Sequence, residues 1–210
     1  MGNLELGKFI VIEGGDGCGK TSVINGLKEH YKNAIFVREP GGTEFGEKVR
    51  NLIMDNPTIT KETEMYLFSA SRSELVDKVI KPGIINGNLI ICDRFVYSSY
   101  AYQGSGANIG IANVEAVNQF ALRGVVPDMV IYLKVEKSFR TNIENRLDDR
   151  SEEEKHRIFE AYNYLAEKYS EIFNVVEVQN KNQQQVLDEV ISKIDQKLGI
   201  TKKENKINER

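Results

Sequence analysis

The chain has 210 residues, with 28 lysines and arginines against 31 aspartates and glutamates, a formal net charge of −3, and two cysteines. That length fits one domain with a core that needs no staples, and scattered, slightly acidic charge excludes the basic stripe of a polynucleotide binder while leaving room for a local pocket that takes a small anion. No apolar run approaches the ~20 residues of a membrane span, Met1-Gly2-Asn3-Leu4-Glu5 lacks a signal peptide's basic and apolar regions, and Leu6 stands where a myristoylation motif needs Ser or Thr. The expectation is a soluble, cytoplasmic protein with no nucleic-acid or membrane partner.

The first predicted strand, over 9–12, runs directly into Gly14-Gly15-Asp16-Gly17-Cys18-Gly19-Lys20-Thr21-Ser22 and a helix over 19–31. Glycines let the backbone curl so that successive N–H groups point at phosphate oxygens, and the helix adds the positive end of its dipole. Lys20 then supplies a mobile charge for the outer phosphates, and the Thr21 hydroxyl can ligate the magnesium that travels with ATP. Cys18, in this loop, and Cys92, at a strand end, have neither the number nor the spacing of a disulfide framework or metal site.

Further apolar runs over 34–37, 89–92, 129–133 and 175–178 read as strands buried on both faces. Helical patterns fall between them, over 46–54, 61–81, 113–122, 136–146, 151–172 and 183–198. The alternation predicts a doubly wound α/β fold, a P-loop NTPase-type three-layer sandwich with a five-stranded parallel sheet flanked by helices. One domain over 1–200 is expected, followed by a frayed polar tail over 201–210.

Ligands of open parallel sheets collect at the carboxyl ends of the strands. The second strand leads into Arg38-Glu39-Pro40-Gly41-Gly42-Thr43, where a turn presents Arg38 and Glu39 to the cleft. The third leads into Asp93-Arg94-Phe95 and a loop rich in hydroxyls, rings and amide from Tyr97 to Gly104. Asp93 is placed to help hold magnesium; alternatively, Asp93 and Arg94 form a local salt bridge. On the 61–81 helix, Phe68 and Arg72 lie four residues apart, on one face. They suit either a pyrimidine stacked on a ring with its carbonyl edge on a guanidinium, or a core phenylalanine beside a surface arginine.

In this order, the phosphate loop, Arg38-Glu39-Pro40-Gly41-Gly42-Thr43, Leu67-Phe68-Ser69-Ala70-Ser71-Arg72, Asp93-Arg94-Phe95 and Ala101-Tyr102-Gln103-Gly104 closely resemble the thymidylate kinase family, bacterial-type branch. The resemblance covers roughly 8–198. It implies transfer of the ATP γ-phosphoryl group to dTMP with Mg2+ as cofactor, and a homodimer with contact surfaces on the helices at 46–54 and 61–81. It implies an acceptor-phosphate clamp made by Arg94 with Arg50 and Arg38, a loop carboxylate, Asp16, near the acceptor's sugar hydroxyl, and thymine recognition by Phe68 and Arg72. Tyr102 is expected on the sugar's 2′ side, with Gln103 and Ser98 as polar contacts to base or sugar. Since the phosphate loop has no arginine, the resemblance places the catalytic arginine in a lid near 142–153, where Arg146 and Arg150 are both candidates; either can instead pair with the neighbouring acids. Phe95 replaces the more usual tyrosine, keeping the ring and losing a hydroxyl. Another P-loop nucleoside monophosphate or deoxynucleoside kinase would share the loop and lid. A GTP-dependent switch or other non-catalytic nucleotide-binding module would need Asn-Lys-x-Asp, and Asn180-Lys181-Asn182-Gln183 lacks the Asp.

Overall fold

Side chains alternate across a strand, so a run such as Phe9-Ile10-Val11-Ile12 stays apolar throughout only if both of its faces are covered. A computed structural model of the chain, describing residues 6–56, 58–136 and 150–200, has this arrangement. Phe9 and Val11 join one buried cluster and Ile10 and Ile12 the other, on opposite faces of the sheet.

The strands are β1 (Lys8–Gly14), β2 (Ile35–Arg38), β3 (Leu89–Asp93), β4 (Met129–Lys134) and β5 (Phe173–Glu177). All pair in parallel, in the order β2-β3-β1-β4-β5. β1 is central, so its exit is flanked by those of β3 and β4, where the strand order reverses and a ligand crevice opens. Helices α1 (Lys20–His30) and α8 (Gln183–Leu198) cover one face through Val23, Leu27, Val190 and Ile194. Helices α3 (Lys61–Leu75), α6 (Ile111–Leu122) and α7 (Glu152–Lys168) cover the other through Met65, Leu75, Val114, Tyr162 and Leu165. Helix α2 (Glu44–Asp55) packs on α3. Among the described residues no helix is long and apolar enough to cross a membrane.

Two stretches differ from the sequence reading. The expected helix over 61–81 continues from α3 through a π-helical turn, Val76–Ile80, into α4 (Lys81–Ile85). The expected loop after β3 is helical: α5 (Val96–Ser99) widens into a π-helical run, Tyr100–Gly106. Ser and Tyr are indifferent helix formers and Gly a poor one, but this segment is drawn inward by its rings, and burial overrides propensity. Tyr97 packs edge-on against Tyr100 and Phe173, at centroid distances of 5.9 and 5.0 Å. The Arg157 guanidinium of α7 donates to the carbonyls of Ser105 and Gly106 at the end of the run. β5 begins two residues before the predicted start. Arg146, nearly all of the 136–146 helix, most of the lid and the tail lie outside the described residues.

Candidate active site

Gly14 ends β1 at φ +153° and Gly19 precedes α1 at φ +88°, backbone that L side chains rarely adopt. Between them the loop arches over the N-terminus of α1, whose first turn leaves its amides without intrahelical partners. Lys20 is 8% exposed and its Nζ donates to the Gly14 carbonyl at 3.2 Å. Asp16 accepts from Arg94 Nη2 at 2.8 Å and from Arg150 Nη1 at 3.4 Å. Burial pushes the Asp16 carboxyl up, but Arg94, Arg150 and Lys20 together hold it below its ordinary value.

The exit of β3 carries Arg94 at φ +66°, uncommon for a side chain of this size. The corner is held by the chain itself. The Arg94 N–H donates to the Ile12 carbonyl at 3.0 Å, and Glu13, fully buried on β1, accepts from the Phe95 and Ser98 N–H groups at 2.9 and 3.1 Å. The other Glu13 oxygen accepts from the Ser98 and Tyr162 hydroxyls at 2.7 and 2.8 Å. Arg94 Nη1 donates to the Gly14 carbonyl and to Ser98 Oγ, both at 3.1 Å. These contacts, with that to Asp16, engage three of its five N–H donors. The guanidinia of Arg94 and Arg150 lie 5.0 and 4.7 Å from the Tyr102 ring centroid.

Beyond β2, Glu39 is buried and accepts from Arg72 Nε at 2.8 Å and from Arg72 Nη2. Arg72, 1% exposed, also donates to Ser99 Oγ at 3.0 Å and to Asn118 Oδ1. Burial raises the Glu39 carboxyl to about 7, with Arg72 pulling the other way and Glu13 adding to the rise. Arg50 donates to the Pro40 carbonyl at 3.3 Å. Burial and then the charge of Arg38 hold the Arg50 guanidinium below its ordinary value, with Arg94 adding to the effect. Such a surplus of positive charge is the setting of an anion site.

One cavity of about 530 Å3 unites these elements. Of the residues singled out from sequence, Asp16, Gly17, Cys18, Gly19, Lys20, Thr21, Glu39, Arg50, Phe68, Arg72, Asp93, Arg94, Ser98, Tyr102, Gln103 and Arg150 all line it. Phe68 is thus at the cavity wall and not in the core. Gly14, Gly15 and Ser22 support the loop without lining the cavity. Arg38 departs from its expected place: it lies 51% exposed against Glu47, with Nη2 to Oε2 at 2.8 Å, because Glu47 also anchors the Gly42 N–H of the same turn. Ser98 lines the cavity, but its hydroxyl already donates to Glu13 and accepts from Arg94. Asp93 and Arg94 form no salt bridge with each other; Arg94 pairs with Asp16.

Sequence reasoning passed over Glu13, Glu64, Ser99, Asn118 and Tyr162. Glu13 had a signal, being the single charge in an apolar strand run, and Glu64 had another, one turn before Phe68 on the same helical face.

Among the described residues no cluster of three or more His, Cys, Asp or Glu side chains can hold a metal unaided. Asp93 Oδ1, however, is buried without a hydrogen-bond partner, in the cavity that Thr21 also lines. Two protein oxygens suit magnesium, which fills its remaining positions with phosphate oxygens and water.

A family model described as thymidylate kinase matches residues 12–194. The chain belongs to the thymidylate kinase family. It is an enzyme, a phosphotransferase of that family. A thymidylate kinase from Thermoanaerobacter sp. (strain X514) is 47% identical over 134 residues, spanning 61% of this chain and 66% of the relative, just under two thirds of its length. A thymidylate kinase from Ligilactobacillus salivarius (strain UCC118) is 38% identical over 202 residues, 89% of this chain and 96% of that protein. The crystal structure of thymidylate kinase from Ehrlichia chaffeensis superposes with a TM-score of 0.75 at 31% identity, covering 90% of this chain and 98% of the other.

Proposed function

We propose that this chain transfers the γ-phosphoryl group of ATP to dTMP, giving ADP and dTDP. The observation that carries the reading is the single cavity in which a phosphate loop, the arginine corner at Arg94 and the Phe68–Arg72 wall meet.

Phosphoryl transfer passes through a loose transition state with charge spread over peripheral oxygens, so positioning and positive charge do most of the catalysis. The loop amides and Lys20 take the donor phosphates. Arg94 and Arg50 hold the acceptor phosphate in line. The acceptor oxygen is already anionic, so no general base is needed. Asp16, kept ionised by three cations, tethers Arg94 and Arg150 and can accept from the acceptor's sugar hydroxyl. Arg150 stabilises the transferring charge, with Arg146 a further lid arginine in the same role. Phe68 stacks on thymine, Arg72 donates to its carbonyl edge, and Tyr102 fills the sugar's 2′ side. Magnesium, held by Thr21 and Asp93 together with phosphate oxygens, would neutralise charge on the donor phosphates.

The same reading places the enzyme in the cytoplasm as a homodimer. Helices α2 and α3, packed on one another, expose Phe45, Leu52 and Tyr66, apolar area suited to a second copy.

The test is ADP release with ATP and magnesium against dTMP, dUMP, UMP, dCMP, dGMP and dAMP, with Arg94→Ala beside the parent. Turnover confined mainly to dTMP and lost in the variant is expected. Activity centred on another monophosphate, or ATP binding without turnover, overturns the reading.

A further inference from the structure

Gln103 is 3% exposed, lines the cavity, and donates from Nε2 to Glu64 Oε1 at 3.1 Å. A carboxylate only accepts, so the amide nitrogen must face Glu64 and the amide oxygen must face away from it. That oxygen has no hydrogen-bond partner among the described residues. Glu64, Phe68 and Arg72 recur at four-residue spacing on α3, so they form one stripe along the helix. Phe68 occupies the middle of the stripe, with the Arg72 donors one turn on and the Gln103 acceptor, set by Glu64, one turn back.

We propose that Glu64 is a positioning residue for base selection: it locks the Gln103 amide with its oxygen toward the cavity, so that the site accepts a pyrimidine bearing an N3–H and rejects one whose N3 is itself an acceptor. The inference rests on the dTMP reading above. Thymine and uracil offer N3–H to the Gln103 oxygen and O4 to Arg72. Cytosine offers a bare N3 and an amino group, so it sets acceptor against acceptor and donor against donor. Without Glu64 the Gln103 amide is free to turn over and present its NH2 to N3 of cytosine. A site that hydrogen-bonds its substrate discriminates strongly because a mismatch leaves buried polar groups unpaired.

The experiment compares kcat/KM for dTMP and dCMP, at saturating ATP, in the parent, Glu64→Ala and the isosteric Glu64→Gln. Expected in Glu64→Ala is a fall of at least about tenfold in the dTMP-to-dCMP ratio, the equivalent of one oriented hydrogen bond, with KM for ATP unchanged. Glu64→Gln retains a side-chain oxygen that can still accept from Gln103, so it should restore part of the ratio. Direct titration of dTMP and dCMP binding reads the same ratio in any variant that binds without turning over. A ratio unchanged within twofold in Glu64→Ala, or equal losses for both nucleotides, overturns the proposal. A parent that does not phosphorylate dTMP overturns the dTMP reading itself, a result visible without the variants.

Discussion

Glu13 fixes Arg94 from the neighbouring strand: its carboxylate takes the Phe95 and Ser98 N–H groups, and so clamps the backbone on the far side of the corner from which the Arg94 side chain projects. Its second oxygen takes two hydroxyls, so one buried side chain satisfies four donors. Removing it in Glu13→Ala strands those donors, each costing about 1–3 kcal/mol. We expect stability to fall by about 3 kcal/mol or more by urea unfolding, and kcat/KM for dTMP to fall about a hundredfold as the Arg94 corner relaxes. Glu13→Gln keeps one acceptor and should fall between. A Glu13→Ala protein as stable and active as the parent would remove the corner's dependence on this carboxylate.

Gly14 is held by more than its φ. A Cβ added there would lie 2.7 Å from Cys18 Sγ and 2.8 Å from the Leu133 carbonyl, whose backbone cannot yield. Gly14→Ala should therefore shift the phosphate loop, weakening ATP binding at least about tenfold and lowering stability by about 1–3 kcal/mol. The check is the thermal shift produced by ATP, which should shrink in the variant; a shift equal to the parent's contradicts it.

Arg72→Lys keeps the charge but loses the fork that serves Glu39, Ser99 and Asn118 together. KM for dTMP should rise by about a hundredfold or more, while KM for ATP stays near the parent value. Parallel changes in both constants would mean that the substitution acts on the whole fold and not on the acceptor side.

Glu39 makes stability depend on pH in a defined direction. Its carboxyl is raised in the folded protein from 4.5 to about 7, so between these values the folded state binds the proton more tightly than the unfolded state. The stabilisation linked to that proton is complete below about 4.5 and is lost as pH rises through about 7. A plot of Tm against pH for the parent minus that for Glu39→Gln should therefore slope downward over this window. A flat difference would show that Glu39 does not titrate there.

Much of this was legible because the strand runs are apolar on both faces and each ends in a punctuated turn. The loop from Gly14 to Thr21, the Pro40-Gly41-Gly42 turn and the Asp93-Arg94 corner declare themselves as local motifs, and each contributes residues, as α3 does, to one cavity. What stayed hidden depends on contacts remote in sequence. Tyr162 meets Glu13 from 149 residues away. The helical form of 96–106 is decided by Tyr97 against Phe173 and by Arg157 on the Ser105 and Gly106 carbonyls, none of which local composition reveals. Arg38 turned outward because Glu47 offered a nearer partner on the adjoining helix, a choice that residue type alone does not make.

On the dTMP reading proposed above, the π-helical run Tyr100–Gly106 makes chain length itself a determinant of specificity. Its i→i+5 winding carries one residue more than an α-helical path would use, and neighbouring side chains are turned apart by less, so that consecutive Tyr102 and Gln103 both reach the cavity. Shortening the run by one residue, at Ser105 for example, would let it relax to the tighter winding and swing one of the pair out of register with α3. The sugar and base contacts proposed for Tyr102 and Gln103 would then come apart with every side chain of the site still present, so the count of residues between Asp93 and Gly110 is as much a part of the site as their identities.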